Sequence, residues 1–229
     1  MEFSTLLQLS PLHIALAAAV IQLLGYICYM TMQKIEPEPL AWFMWGSTTW
    51  VIAVIEADSM ILEHGHWTVI PDKQRALLLL PILCGFMAAI IAMRCWRKGR
   101  IKWSHEWQNR LALLLGLSLT GVYILGWVML RIEVIDTDIR EHVAIYSLVL
   151  LSLVTIIEFS PLIRNTVRNP DDEKSLPWLI WTSAYSLLSL ATWCETGLSV
   201  LLVYPVINVM LHSTVAWLSR RKRRQDAHI

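Results

Sequence analysis

The sequence predicts an all-α polytopic membrane protein in which seven transmembrane helices are arranged 3+1+3, as two parallel three-helix repeats. The first reason is composition: 56% of the 229 residues are hydrophobic and 16% are charged, whereas soluble domains carry about 25% charged residues. The mean hydropathy is accordingly high, at +0.52. The second reason is that apolar stretches long enough to cross a bilayer as helices, about 20 residues each, recur along the chain. The third is a repeated tryptophan phrase.

Seven continuous apolar runs define the predicted spans, which cover residues 11–32, 40–61, 76–93, 111–130, 143–163, 176–194 and 198–218. A β-barrel would show alternating segments of about ten residues instead, and backbone in lipid must satisfy its own hydrogen bonds, so we expect helices. No Lys or Arg precedes the first run. A cleaved signal peptide needs such a basic region, so we expect the first run to remain as a helix. The four cysteines show no paired pattern, so we predict no disulfide framework and no CxxC metal site.

Basic residues predict the orientation of the spans. Fifteen of the 19 Lys and Arg residues fall on the side that holds the 1–2, 3–4 and 5–6 loops and the C-terminal tail. Since Lys and Arg are retained in the cytoplasm, we expect the N-terminus outside and the C-terminus in the cytoplasm. A cell inner (plasma) membrane is the simplest location. We interpret the tail RRKRR (220–224) as a topology anchor on anionic lipid head groups, and expect no nucleic-acid partner.

The tryptophan phrase is EPLAWFMWGS at 38–47 and KSLPWLIWTS at 174–183, and an offset of 136 aligns both tryptophans of each copy. Further on, LLLLPILC (77–84) matches LLVYPVIN (201–208) at an offset of 124. The first half therefore has twelve additional residues, which we place in an outer loop within 56–73.

Spans one to three thus resemble spans five to seven, and span four links them. One linking helix gives the two units the same orientation, as in parallel-repeat transporters. The predicted domains are a first three-helix repeat, a basic cytoplasmic loop with linker helix four, a second three-helix repeat and a basic cytoplasmic tail, at 1–97, 98–140, 141–219 and 220–229.

This layout resembles the SWEET sugar transporters and the wider PQ-loop family, whose half-size members are the SemiSWEETs. The Pro-Gln signature of that family lies near the cytoplasmic end of the first helix of each repeat. Here Pro161 is followed by Leu162, and Gly25 stands at the proline's position in the first repeat. The family often carries a substrate-contacting asparagine on helices three and seven, which Asn208 matches and Cys84 does not. The resemblance implies alternating-access transport of a small polar solute.

Two helix faces supply the candidate binding residues. Spacings of 3, 4, 3 and 4 residues place five residues on one face of helix two: Trp42, Trp45, Thr49, Ile52 and Glu56. The equivalent face of helix six carries Trp178, Trp181, Tyr185, Leu188 and Thr192. With Asn208 and Cys84, we predict that Trp45, Trp181, Tyr185 and Thr49 bind substrate. The alternative is an aromatic belt at the head groups. We favour the belt for Trp42 and Trp178 and leave both interpretations open for the deeper pair.

Four further residues are candidates for gating or coupling: Pro81, Pro161, Pro205 and Glu158. The prolines offer kinks that alternating access could use, or they are fixed bends. A charge at mid-span costs about 2.5–3.5 kcal/mol, so Glu158 either serves function or pairs with Arg164.

Other polar residues of the spans have simpler interpretations. We expect Glu56 and Asp58 to be exposed on the outer side. Asn208 either contacts substrate or satisfies backbone near Pro205.

No motif for catalysis, a nucleotide or a cofactor occurs, and the two histidines of HGHW (64–67) are too few for a metal site. We therefore predict a non-enzymatic transporter of an unidentified small polar solute. The main alternative is a non-transporting membrane scaffold or sensor that binds a protein or lipid. An enzyme acting on lipids would need clustered His or Asp at one membrane face. A homo-oligomer is left open.

Overall fold

The computed structural model describes residues 10–32, 39–97, 107–132 and 136–221. Most of the predicted basic loop, most of the basic tail and the start of the first tryptophan phrase lie outside these ranges. The described chain forms eight α-helices: α1 (Pro11–Met32), α2 (Pro39–His64), α3 (Asp72–Leu77), α4 (Leu79–Arg97), α5 (Trp107–Arg131), α6 (Thr137–Arg168), α7 (Ser175–Thr196) and α8 (Val203–Leu218). Single 3-10 turns cover Trp67–Val69, Pro170–Asp172 and Val200–Leu202, and no strand occurs in the described ranges.

The predicted all-α class is confirmed for this part of the chain. Five helical segments are long and apolar enough to cross a membrane, and each coincides with a predicted span: Pro11–Met32, Asp72–Arg97, Arg110–Leu130, Asp138–Arg168 and Val200–Leu218. The other two predicted spans correspond to α2 and α7, which have 26 and 22 residues. Their tryptophan, serine and threonine residues lower their hydropathy, and several of these residues line the cavity described below.

The surface of the described helices is largely apolar, as expected for a membrane protein. The span within α5 is only 11% buried although it is strongly apolar, which suits a helix that faces lipid. Exposed tryptophans lie within about one turn of a helix end, or in a connecting turn, as in the aromatic belts of membrane proteins: Trp67, Trp96, Trp107, Trp127, Trp193 and Trp217.

The two most extensive helix contacts are those of α1 with α7 and of α2 with α4. Helix α1 packs against α7 and α4, and α2 packs against α4 and α6. Helix α8 contacts α7 and α6, while α5 lies against α6 and more weakly against α2. The interior between α2 and α7 is therefore enclosed by four further helices.

Three prolines shape the helices. Pro81 removes the N–H that would bond the Leu77 carbonyl, and the helix is interrupted at Leu78, between α3 and α4. A 3-10 turn likewise ends at Leu202, just before Pro205. Pro161 lies inside α6, where the Ser160 hydroxyl donates to the freed Ile157 carbonyl at 2.8 Å.

Most of the additional residues of the first half are helical, so the prediction of a long outer loop is wrong. Helix α2 continues to His64, and α3 begins at Asp72. Glycine ends both α2 and α7: Gly65 and Gly197 have φ of 81° and 66°, and their N–H groups donate to carbonyls of the preceding turn. A residue without Cβ adopts this left-handed conformation at no steric cost.

Candidate functional site: an aromatic cavity between α2 and α7

All six predicted substrate-binding residues line one cavity, together with Glu158: Trp45, Thr49, Cys84, Trp181, Tyr185 and Asn208. These residues come from α2, α4, α7 and α8, with Glu158 from α6. The cavity volume is about 30 Å³, and one water needs about 10–15 Å³. The space as it stands therefore accommodates about two water molecules.

The three prolines are not among the residues that line this cavity. Pro205 borders a second, smaller cavity of about 10 Å³, which Glu56 also lines. Pro81 and Pro161 shape α4 and α6 from outside both cavities.

Aromatic rings form most of the cavity wall. Trp45 stacks on Phe159 with ring centroids 4.8 Å apart, and Trp178 contacts Trp181 edge-on at 4.9 Å. Trp42 joins the two groups, at 5.0 Å from Trp45 and 6.3 Å from Trp181. Such edge-on and offset contacts are the favoured geometries of aromatic pairs.

The prediction that Trp42 and Trp178 belong to an interfacial belt is wrong. Their exposed fractions are 2% and 1%, so both indoles lie in the protein interior. A helical face identifies residues that point the same way, but not whether they point to lipid or to protein. Here both tryptophan pairs point inward.

Polar contacts fix the two tryptophans of α7. The Trp178 indole N–H donates to the Glu173 carboxylate at 2.9 Å, and that of Trp181 donates to the Gln22 carbonyl at 3.3 Å. Trp181 also lies against Gly25, where an added Cβ would be 2.4 Å from its indole nitrogen. The absence of a side chain at Gly25 thus makes room for Trp181.

A buried group of hydroxyls surrounds Cys84. The Tyr26 hydroxyl lies 2.9 Å from the Cys84 sulfur, and the Tyr185 hydroxyl lies 3.6 Å from it. Tyr185 also hydrogen-bonds with the Tyr204 hydroxyl at 3.1 Å. These contacts join α1, α4, α7 and α8 at the cavity wall, and none of the four cysteines forms a disulfide.

Asn208 combines both interpretations that the sequence offered. Its side-chain amide donates to the Tyr204 carbonyl at 2.9 Å, while the residue also lines the cavity. The next turn adds His212, whose Nδ1 lies 2.7 Å from the Asn208 carbonyl. Because a carbonyl only accepts, Nδ1 is the protonated nitrogen in this contact.

Glu158 contacts α2 rather than Arg164, so that part of the prediction is wrong. Its exposed fraction is 2%, and its Oε1 accepts a hydrogen bond from the Thr48 hydroxyl at 2.7 Å. Its Oε2 is buried without a hydrogen-bond partner among the described residues. The Trp45 indole N–H is also buried and unpartnered in this part of the chain.

Ion pairs lie at the opposite end of the bundle. Arg140, which is fully buried, pairs with Asp58. The Tyr123 hydroxyl donates to the same Asp58 oxygen at 2.8 Å. Lys73 pairs with Glu195 at 2.9 Å. The expectation that Glu56 and Asp58 are solvated is wrong, because Glu56 is buried and Asp58 is held in this network.

Four lining residues escaped sequence reasoning: Tyr26, Thr155, Phe159 and His212. Thr155 lies three residues before Glu158 on α6, so the helical face of that acid was the available signal for Thr155, and Phe159 lies one turn after Thr155. Tyr26 has Tyr29 three residues later on the same helix, a spacing that was available as a signal, whereas His212 has no comparable pattern around it.

The described residues contain no group of three or more His, Cys, Asp or Glu that could hold a metal ion. No family model, curated protein or solved structure matches the chain.

Proposed function

We propose that this protein is a membrane transporter that binds a small polar solute in the aromatic cavity and moves it by alternating access between two three-helix repeats. The single observation that carries the proposal is convergence: six residues chosen from both halves of the sequence line one cavity. Sites of this kind, at the interface of two repeats, are typical of transporters with internal symmetry.

Helix packing supports the two repeats. Let α1, α2 and α4 of the first repeat correspond to α6, α7 and α8 of the second. The contact of α2 with α4 then matches that of α7 with α8, and the contact of α1 with α4 matches that of α6 with α8. Between the repeats, the contact of α1 with α7 matches that of α6 with α2. Helix α5 is then the linker.

Two local features agree with the same correspondence. The helix break at Leu78 and the one at Leu202 are related by the offset of 124 found in the sequence. The offset of 136 pairs Gln22 with Glu158, and both are buried with one unpartnered oxygen among the described residues.

The ion pairs support a state that is closed at one end. Asp58 with Arg140 joins α2 to α6, and Lys73 with Glu195 joins α3 to α7. Each pair connects the two proposed repeats. With the N-terminus outside, these pairs lie at the outer end, and the cavity lies in the cytoplasmic half.

Binding is tested by thermal unfolding of the purified full chain with a panel of sugars, amino acids, vitamins and amines. We expect at least one solute to raise the unfolding temperature of wild type and of Asn165→Ala, an exposed asparagine on α6, but not of Asn208→Ala. Uptake of that solute into proteoliposomes then tests transport. If no solute stabilises the wild type, the proposal fails.

A scaffold or sensor that binds a protein or lipid is the second candidate, and the small cavity favours it. A volume of about 30 Å³ is too small for a sugar unless the indoles move apart. Binding of a solute without any uptake would support a sensor.

A further inference from the structure

One carboxyl group faces the aromatic cavity. Glu158 is the only Asp, Glu, Lys or Arg among the residues that line the cavity. Its Oε2 is buried with no partner in the described part of the chain. A carboxylate at such a depth is costly unless a positive or hydrogen-donating group approaches it. The cavity therefore presents a carboxyl group with one free oxygen, and burial disfavours its ionised form until a cation enters beside it.

The walls around this carboxylate are suited to a cation. Trp42, Trp45, Trp178 and Trp181 all line the cavity, and Phe159 and Tyr26 complete the ring. The face of an aromatic ring attracts a cation within about 6 Å of its centroid, and indole does so most strongly. Several such faces around one point form the aromatic cage that binds alkylated ammonium groups.

A neutral, hydroxyl-rich solute fits less well. It would need several side-chain partners to replace its water, whereas one of the two N–H donors of the Asn208 amide is already engaged with the Tyr204 carbonyl. Tyr26 and Tyr185 are engaged with Cys84. The small volume, about 30 Å³, also favours a compact head group over a ring with many hydroxyls.

We infer that the solute is a compact monovalent ammonium compound, whose cationic nitrogen lies among the indoles with Glu158 as its counter-ion. This inference rests on the proposed function, because it assumes that the aromatic cavity is the binding site. The cavity accommodates a head group larger than about two water molecules only if the rings on α2 move away from those on α7.

The test compares choline with its uncharged isostere, in which a carbon atom replaces the quaternary nitrogen. Calorimetric titration of the purified full chain, at matched ionic strength, measures both affinities. We expect choline to bind wild type at least about tenfold more tightly than the isostere, since the two differ only in charge. This comparison needs no variant, so it stands even if substitutions impair folding.

Variants then locate the site. Glu158→Gln should weaken choline binding by about tenfold or more, because a charge-assisted contact is lost. Glu56→Gln is the matched control: Glu56 is also buried on a helix, but it lines the other cavity, so choline affinity should be unchanged. An equal loss in both variants would contradict the assignment to Glu158.

The remaining outcomes separate the two proposals. If the uncharged isostere binds as tightly as choline, or if only neutral polar solutes of the panel bind, the ammonium inference fails while the proposed binding function stands. If neither choline nor any other member of the panel binds, the proposed function fails, and the inference fails with it.

Discussion

At the cavity, the helices α1, α2, α6 and α7 meet through aromatic rings whose centroids are 4.8 to 6.5 Å apart. At the other end, α2 meets α6 and α3 meets α7 through two ion pairs. Ring contacts are numerous and individually weak, so no single one decides stability. A buried ion pair depends on one partner, and its loss leaves the other charge uncompensated. The two ends should therefore respond differently to single substitutions.

The largest effect is expected at Arg140. Arg140→Met leaves Asp58 with the Tyr123 hydroxyl alone, and breaking a buried pair costs about 3–5 kcal/mol. Denaturation in mixed detergent micelles measures this loss in the free energy of unfolding. The double variant Asp58→Leu with Arg140→Met removes both charges and should recover most of the loss. A single variant as stable as wild type would contradict the role of this pair.

A smaller loss is expected at Gly25, on the aromatic side. Gly25→Ala places a methyl group against Trp181, which is itself only 2% exposed and cannot easily move. Overpacking of this kind costs about 1–3 kcal/mol. Gly121→Ala on α5 is the control, since an added Cβ there meets nothing within 4 Å. The control should not lose stability in the same denaturation, because alanine favours helix over glycine by about 1 kcal/mol.

The smallest effect is expected at the second ion pair. Lys73 is 50% exposed but Glu195 is only 4% exposed, so water reaches this pair from the lysine side alone. Exposed pairs contribute about 0–1 kcal/mol, and we expect Lys73→Gln to cost about 1 kcal/mol, because the glutamine amide can still donate to the buried carboxylate. High ionic strength should reduce the effect of Lys73→Gln more than that of Arg140→Met, whose guanidinium is fully buried. A loss at Lys73 equal to the loss at Arg140 would show that exposure does not separate the two pairs.

The sequence predicts the helices of this protein well, because length and hydropathy are local properties. The first helix, Pro11–Met32, has the predicted bounds. The others differ by a few residues, mainly because polar ends such as Thr137–Arg140 continue as helix beyond the apolar run. A kink or bend was predicted at Pro81, but not that the helix would be interrupted at Leu78.

Burial is predicted less well, because it depends on which helices become neighbours. Sequence spacing predicts that Trp42 and Glu56 lie on one face of α2. That this face is buried depends on the packing of α2 against α4 and α6. Glu158 illustrates the same point: its partner Thr48 is 110 residues away, beyond any local pattern. Trp45 and Trp181, which the internal offset paired, both line the cavity, whereas Trp42 and Trp178, paired by the same offset, were assigned wrongly to a belt.

The close fit of Trp181 against Gly25 constrains how the helices can move. An indole seated in the space left by a missing side chain, with its N–H bonded to the Gln22 carbonyl, fixes the axial register of α7 on α1. Sliding of one helix by a single residue would drive this ring into a neighbouring side chain. Helices α1 and α7 belong to different proposed repeats, so this contact should act as a pivot about which the repeats turn, and not as a surface along which they slide.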